Sequence, residues 1–234
     1  TGVQTCALPI LVGVGLVSVP KGHCAVSTIF DISPMLAPGT NVWPGDTPFS
    51  REVVCDMASG ANITLSAIRS TVHLGSHIDG ANHYSRTGAG VEAWEIDRFL
   101  GECVVVDARV ARGARVGIDD VAWPSGPLPA RVLIRTGTFP DFSAWNSDFA
   151  ALSPELVAHL ADRGVRTVGI DTPSVDLQDS KDLPAHRVFA ERNVAILEGI
   201  VLAGVPVGRY ELIALPLRLQ GFDASPVRAL LRTC

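Results

Sequence analysis

A chain of 234 residues, 47% hydrophobic and 18% charged, carries enough apolar material for one buried core, which excludes intrinsic disorder as a description of the whole. A net charge of -5, with no run of Lys or Arg longer than two, excludes the basic stripe of a nucleic-acid binder and the polybasic patch of a membrane-surface protein. Five scattered cysteines without a C-x-x-C pair exclude a zinc ribbon and a disulfide framework, and point to free thiols in a reducing, cytoplasmic setting.

Residues 1–27 do not resemble the rest. Positions 8–20 are apolar but broken by Pro9, Gly13 and Gly15, and are shorter than the roughly 20 residues that cross a bilayer. No basic residues precede them, as a secretory signal would require. The opening reads as a non-native or disordered extension, His23 within it has no role, and one domain is expected over residues 28–234.

Residues 28–33 predict a short strand running into a loop at Pro34, and the turn-rich NVWPGDTP at 41–48 puts Trp43 on a loop. Loose alternation predicts a long strand over 62–73. Apolar β-branched runs at 103–106, 132–134 and 167–170 predict buried strands. Between the last two, Ser153-Pro154-Glu155 marks a helix start, Leu156, Val157 and Leu160 its apolar face, and Gly164 its stop. This order predicts a right-handed strand–helix–strand unit in a mixed sheet. A second helix is expected over 184–192 and a final strand over 210–217, interrupted by Pro216. The fold class is α/β, with more strand than helix.

The chemistry concentrates in His73-Leu-Gly-Ser-His77-Ile-Asp79-Gly-Ala-Asn-His83. A helix would share a face between His73 and His77 but turn Asp79 away. An extended chain points all four odd positions the same way, with Gly75 leaving space between them. Fully straight, His73 and His77 would stand ~13 Å apart, at the limit of two imidazoles' reach, so a bend at Gly75 is expected. Two imidazoles and a carboxylate suit Zn²⁺, Mn²⁺ or Fe²⁺ with positions left for water. His83, past a turn, fits a general acid/base better than a further ligand. Glu198, flanked by Ile196, Leu197, Ile200 and Val201, needs a charge partner, and a metal supplies one. His186 is ambiguous by itself, and His159 reads as a surface or packing residue. Asp171 and Asp176 are either orienters of ligands or loop caps.

The cluster resembles the H-x-G-[TSA]-H-x-D-x-x-x-H-[FY] signature of the metal-dependent cyclase-like hydrolases, in particular the bacterial kynurenine formamidases. Residues 42–48, the segment from Asp171 to Asp176, Leu183-Pro184-Ala185-His186, and Glu198 twelve residues after His186 resemble the family's other site segments. With 210–217 and 224–228, the likeness runs from about residue 28 to 232. It implies a barrel-like mixed sheet with few helices (the swivelling β/β/α type), a homodimer, and two divalent ions, usually Zn²⁺ with Mn²⁺ as an alternative. His73 and His77 would bind one ion and His186 the other. Asp79 and Glu198 would bridge them, His83 would shuttle protons, and Trp43 would line the substrate pocket. The implied reaction is hydrolysis of an aryl formamide, N-formyl-L-kynurenine, to L-kynurenine and formate. The family often has Pro where Ala81 stands, and Gly80 adds flexibility, so a looser approach to His83 is expected. Rivals are an isatin-hydrolase-like or other cyclic-amide enzyme, which residues 172–179 and the Trp43 loop disfavour, and a non-catalytic metal-binding or ligand-binding module, which has no need of His83. The absence of a G-x-S-x-G elbow separates the chain from serine hydrolases.

Overall fold

Alternate residues of the central strands face opposite ways, and each face has its own apolar core. The computed structural model describes residues 27–233; the expectation for the opening segment lies, but for Ser27, outside the described residues. In chain order the elements are β1 (Ile29–Asp31), β2 (Ser50–Cys55), β3 (Leu65–Arg69), β4 (His77–Asp79), β5 (Leu100–Asp107), β6 (Arg115–Val116), β7 (Arg131–Arg135), β8 (Ala151–Leu152), α1 (Pro154–Asp162), β9 (Thr167–Ile170), α2 (Pro184–Arg192), β10 (Ala195–Glu198), β11 (Gly208–Ile213), β12 (Ala224–Pro226) and β13 (Leu230–Arg232). Nine strands form one sheet in the order β1-β13-β11-β5-β7-β9-β10-β4-β12. Its centre, β5-β7-β9-β10, is parallel and its flanks are antiparallel.

Val104, Val106, Val132, Ile134, Val168, Ile170 and Ile196 pack with Leu156, Val157, Leu160 and Phe189 of the two helices. The intervening Cys103, Val105, Leu133, Ala195 and Leu197 join Phe99, Ile78, Leu212 and Leu231 on the other side. The sheet must curl strongly. β13 and β12 lie seven strand spacings apart in the order, ~34 Å if the sheet were flat. Yet the chain from Pro226 to Leu230 reaches at most ~14 Å. The result is the expected half-barrel α/β fold with two α-helices among the described residues.

α1 starts as its sequence predicts: Ser153 Oγ accepts from Leu156 N at 3.1 Å, and Pro154 occupies the first turn. β7 and β9, which flank it in sequence, are parallel neighbours. The strand expected over 62–73 is shorter, covering only β3, because it pairs with β2 in a separate two-stranded ribbon whose β3 residues are all exposed. Its alternation belonged to a solvated ribbon and not to a half-buried strand. The strand expected over 210–217 ends at Ile213, before Pro216, which has no N–H for a ladder, and β12 and β13 still follow it. Among the described residues no helix is long and apolar enough to cross a membrane.

Candidate metal centre

Two neighbouring strands present the site. His77 and Asp79 alternate along β4 and share one face, as the extended reading requires. Glu198, the last residue of β10, is the cross-strand partner of His77, so its carboxylate rises beside that imidazole. His73 lies in the bend before β4, and Gly75 makes the bend with φ 56°. A Cβ at Gly75 would stand 2.9 Å from Leu36 Cδ2. Gly199 has φ 67°, and a Cβ there would stand 2.2 Å from the Gly75 carbonyl oxygen. Two glycines therefore let the His73–His77 bend and the end of β10 touch through bare backbone. His186 enters from the opposite side, in the first turn of α2.

Each of the three buried or half-buried imidazoles has one nitrogen committed to an outer partner. His77 Nδ1 donates to the Gly75 carbonyl at 2.9 Å, His73 Nε2 to Asp223 Oδ2 at 3.0 Å, and His186 Nδ1 to Asp176 Oδ2 at 2.8 Å. The remaining nitrogens face two carboxylates. Asp79 Oδ1 lies 3.2 Å from His73 Nδ1 and 3.5 Å from His77 Nε2, while Asp79 Oδ2 lies 3.7 Å from His186 Nε2. Glu198 divides the same way, with Oε2 3.2 Å from His77 Nε2 and Oε1 3.8 Å from His186 Nε2. Asp79 is fully buried, yet neither of its oxygens, nor His77 Nε2, has a hydrogen-bond partner.

Unpartnered buried carboxylate oxygens are costly unless a charge satisfies them. Donor atoms bonded to one ion at ~2.0–2.2 Å sit ~3.2–3.6 Å apart, the spacing on the His73–His77 side and slightly less than the 3.7 and 3.8 Å at His186, all longer than a strong hydrogen bond. The donors thus fit a divalent cation. Each carboxylate offers one oxygen to the His73–His77 side and the other to the His186 side.

Charge in the cluster follows the same logic. Burial would raise the Asp79 carboxyl, but His186 and His73 hold it well below the usual carboxylate range. Burial would lower His73 and His186, but carboxylates outweigh it: Asp79 and Asp223 carry His73 up to about 9, and Asp176 and Asp79 carry His186 up to about 10. His83 goes the other way, lowered chiefly by burial.

His83 closes the 3-10 helix Ala81–His83 at the rim, its ring 4.1 Å from that of His73 and 6.1 Å from that of His186. Its nitrogens lie close enough to Asp79 and His186 to add to the donor set. The segment leading to His83 passes through Gly80 in close quarters. A Cβ at Gly80 would stand 2.6 Å from Asn82 Oδ1 and 2.8 Å from Val91 N, so glycine serves tight packing there and not flexibility. The open choice for the two aspartates resolves differently for each. Asp176 holds the His186 ring and also accepts from the His186 and Ala185 amides, at 3.0 and 3.3 Å. Asp171 binds the 136–137 loop, accepting from Thr136 N and Gly137 N, both at 2.8 Å.

A cavity of about 260 Å³ opens over the cluster. Trp43 lines it and meets Trp145 edge to face at 5.6 Å. Phe139 and Phe142 complete an aromatic wall that the sequence reading missed, although three aromatics within residues 139–145 were a usable signal. Asp223 was also missed, and nothing local marks it. So was Trp94, whose indole N–H donates to the Asp79 carbonyl at 2.7 Å.

Residues 30–177 match the Cyclase family model, described as putative cyclase. The fold is similar to a potential metal-dependent hydrolase with cyclase activity, with TM-score 0.77 and 28% identity over 89% of this chain and 98% of the other. It is similar to a predicted metal-dependent hydrolase from Bacillus stearothermophilus, with TM-score 0.75 and 28% identity over 89% and 99%. Isatin hydrolase A from Ralstonia solanacearum shares the fold, with TM-score 0.72 and 22% identity over 89% and 92%.

Proposed function

The chain belongs to the cyclase family, and from that premise we propose that it is a metal-dependent amide hydrolase acting on an aryl formamide, N-formyl-L-kynurenine, to give L-kynurenine and formate. The observation that carries this reading is Asp79, fully buried with both oxygens unpartnered and ringed by His73, His77 and His186. Those four residues and Glu198 would hold two divalent ions, Zn²⁺ or Mn²⁺. Bound there, the ions would supply Lewis acidity, polarising a carbonyl and acidifying water.

The protein's own groups account for the remaining steps. Trp43, Phe139, Phe142 and Trp145 give an aryl ring a flat apolar wall and exclude bulk water beside it. His83, kept neutral near pH 7 by its burial, has a lone pair with which to take the proton of the attacking water. It then returns that proton to the aryl nitrogen as the C–N bond breaks. An aryl amine and formic acid leave, the acid giving its proton to solvent as formate, and the imidazole is neutral again. Asp176 and Asp223 keep the ring orientations of His186 and His73 fixed throughout.

A formate-release assay with N-formyl-L-kynurenine and formanilide, run beside ring opening of isatin, tests the proposal. Activity on the formamides that disappears on chelation and returns with Zn²⁺ or Mn²⁺ is the expected result. Turnover of isatin alone would move the substrate to cyclic amides, and activity that survives complete metal removal would refute the metal-dependent reading.

A further inference from the structure

The catalytic cavity is lined by aromatic, imidazole and carboxylate groups, and among the described residues no Lys or Arg lines it. A substrate carrying an amino-acid tail needs a cation for its carboxylate and an anion for its ammonium. Asp46 is a carboxylate on the cavity wall, on the loop that also carries Trp43. The same Asp46 lines a second, adjoining cavity together with Gly45, Thr47, Pro48, Ser50 and Arg69. Neither the Asp46 carboxylate nor the Arg69 guanidinium makes a hydrogen bond or ion pair within the chain, among the described residues. Two opposite charges bordering one cavity are therefore both unspent.

Their relative placement is held by backbone. Asp46 N donates to the Trp43 carbonyl at 2.9 Å, closing the turn that sets Asp46 beside the indole. Thr71 N donates to the Thr47 carbonyl at 3.0 Å, tying the segment between Arg69 and His73 to that loop. Arg69 pairs with Ser50 at the root of the β2–β3 ribbon, and Ser50 Oγ donates to the Arg69 carbonyl at 3.3 Å. Asp46 thus borders both cavities, with Trp43 on the wall of the first and Arg69 on that of the second.

We propose that Asp46 and Arg69 form the subsite for the amino-acid end of the substrate, Asp46 receiving the α-ammonium and Arg69 the α-carboxylate. The class selected is an aryl amide bearing a zwitterionic side chain, in preference to a bare anilide. Arginine suits the role because its planar fork pairs a carboxylate with two parallel N–H bonds. The inference rests on the hydrolase reading above, and its test separates the two.

The experiment compares kcat/KM for N-formyl-L-kynurenine with kcat/KM for formanilide, which lacks the tail, in metal-loaded wild type, Arg69→Met, Arg69→Lys and Asp46→Asn. In Arg69→Met the ratio should fall roughly tenfold or more, the effect of losing one charge-assisted pairing, and the loss should appear in KM. Arg69→Lys should recover part of it, keeping the charge but not the fork. Asp46→Asn should lower the ratio too. An unchanged ratio in Arg69→Met, or equal losses on both substrates, would overturn the subsite while leaving the hydrolase reading intact. Wild type that cleaves neither formamide would overturn both.

Discussion

Removing Asp176 tests whether the outer carboxylate governs the inner cluster. It is fully buried and accepts from His186 Nδ1 at 2.8 Å, the His186 amide at 3.0 Å and Arg115 Nη1 at 2.7 Å. Burial would raise its carboxyl, but these donors, His186 first, hold it at about 2 against an ordinary 3.8. Holding the carboxyl that far down contributes about 2 kcal/mol of stability at neutral pH. The sign is that of a lowered acid: the contribution is present above about pH 4 and is lost as pH falls toward 2. Asp176→Ala also leaves Arg115 without its carboxylate and the first turn of α2 without its cap, so about 3 kcal/mol in all is expected from urea unfolding of the chelated protein. The His186 ring loses the bond that aims Nε2 at Asp79 and Glu198. Metal affinity, measured by competition with a chromophoric chelator, should fall about 10–100-fold. Asp176→Asn, which keeps one carbonyl acceptor, should fall between. Wild-type metal affinity in Asp176→Ala would refute the positioning argument. A stability difference that persists undiminished to pH 2 would refute its electrostatic part.

Metal uptake should release protons. With His73 raised to about 9 and His186 to about 10, the chelated protein holds both imidazoles protonated at pH 7. Their stabilising contribution is fully present below about pH 6.5 and lost as pH rises through 9 to 10, so metal affinity should climb with pH. Calorimetry in two buffers of different ionisation enthalpy should count close to two protons released, and none would refute the assignment. His83→Ala should retain its metal and lose about 10²–10⁴-fold in kcat, less for aryl formamides with electron-withdrawing substituents, whose amines leave with less help. Loss of metal from that variant would make His83 a ligand instead. Gly199→Ala puts a Cβ into the Gly75 carbonyl and strains a left-handed residue, so a lower Tm and reduced metal content are expected. Normal values of both would show that the contact between the two glycines does not set the site.

What was legible in the sequence was local or periodic. α1 announced itself through Ser153, Pro154 and Gly164, which act on their own helix's ends, and β7 and β9 through short β-branched runs. His77 and Asp79 were legible because a strand's period of two puts alternate residues on one face. The rest depended on residues brought together from far along the chain. Asp223 reaches His73 across 150 positions, and no local pattern encodes that meeting. The β2–β3 ribbon went unread in part because its apolar residues face solvent, so alternation there carried no burial signal. Tertiary register decides the most consequential case. Glu198 faces His77 because β10 and β4 pair as Leu197↔Ile78 and Glu198↔His77. A slip of one residue would swing the carboxylate to the opposite face of the sheet and leave Asp79 as the sole carboxylate among three imidazoles. Two bonds at Gly199 oppose that slip: the Ser76 hydroxyl, just before β4, donates to the Gly199 carbonyl at 2.9 Å, and Gly199 N donates to the Thr172 carbonyl at 2.8 Å, anchoring the end of β10. The two glycines allow the close approach, and these bonds fix its register, so the donor set is specified as much by residues that bind nothing as by those that face the cluster.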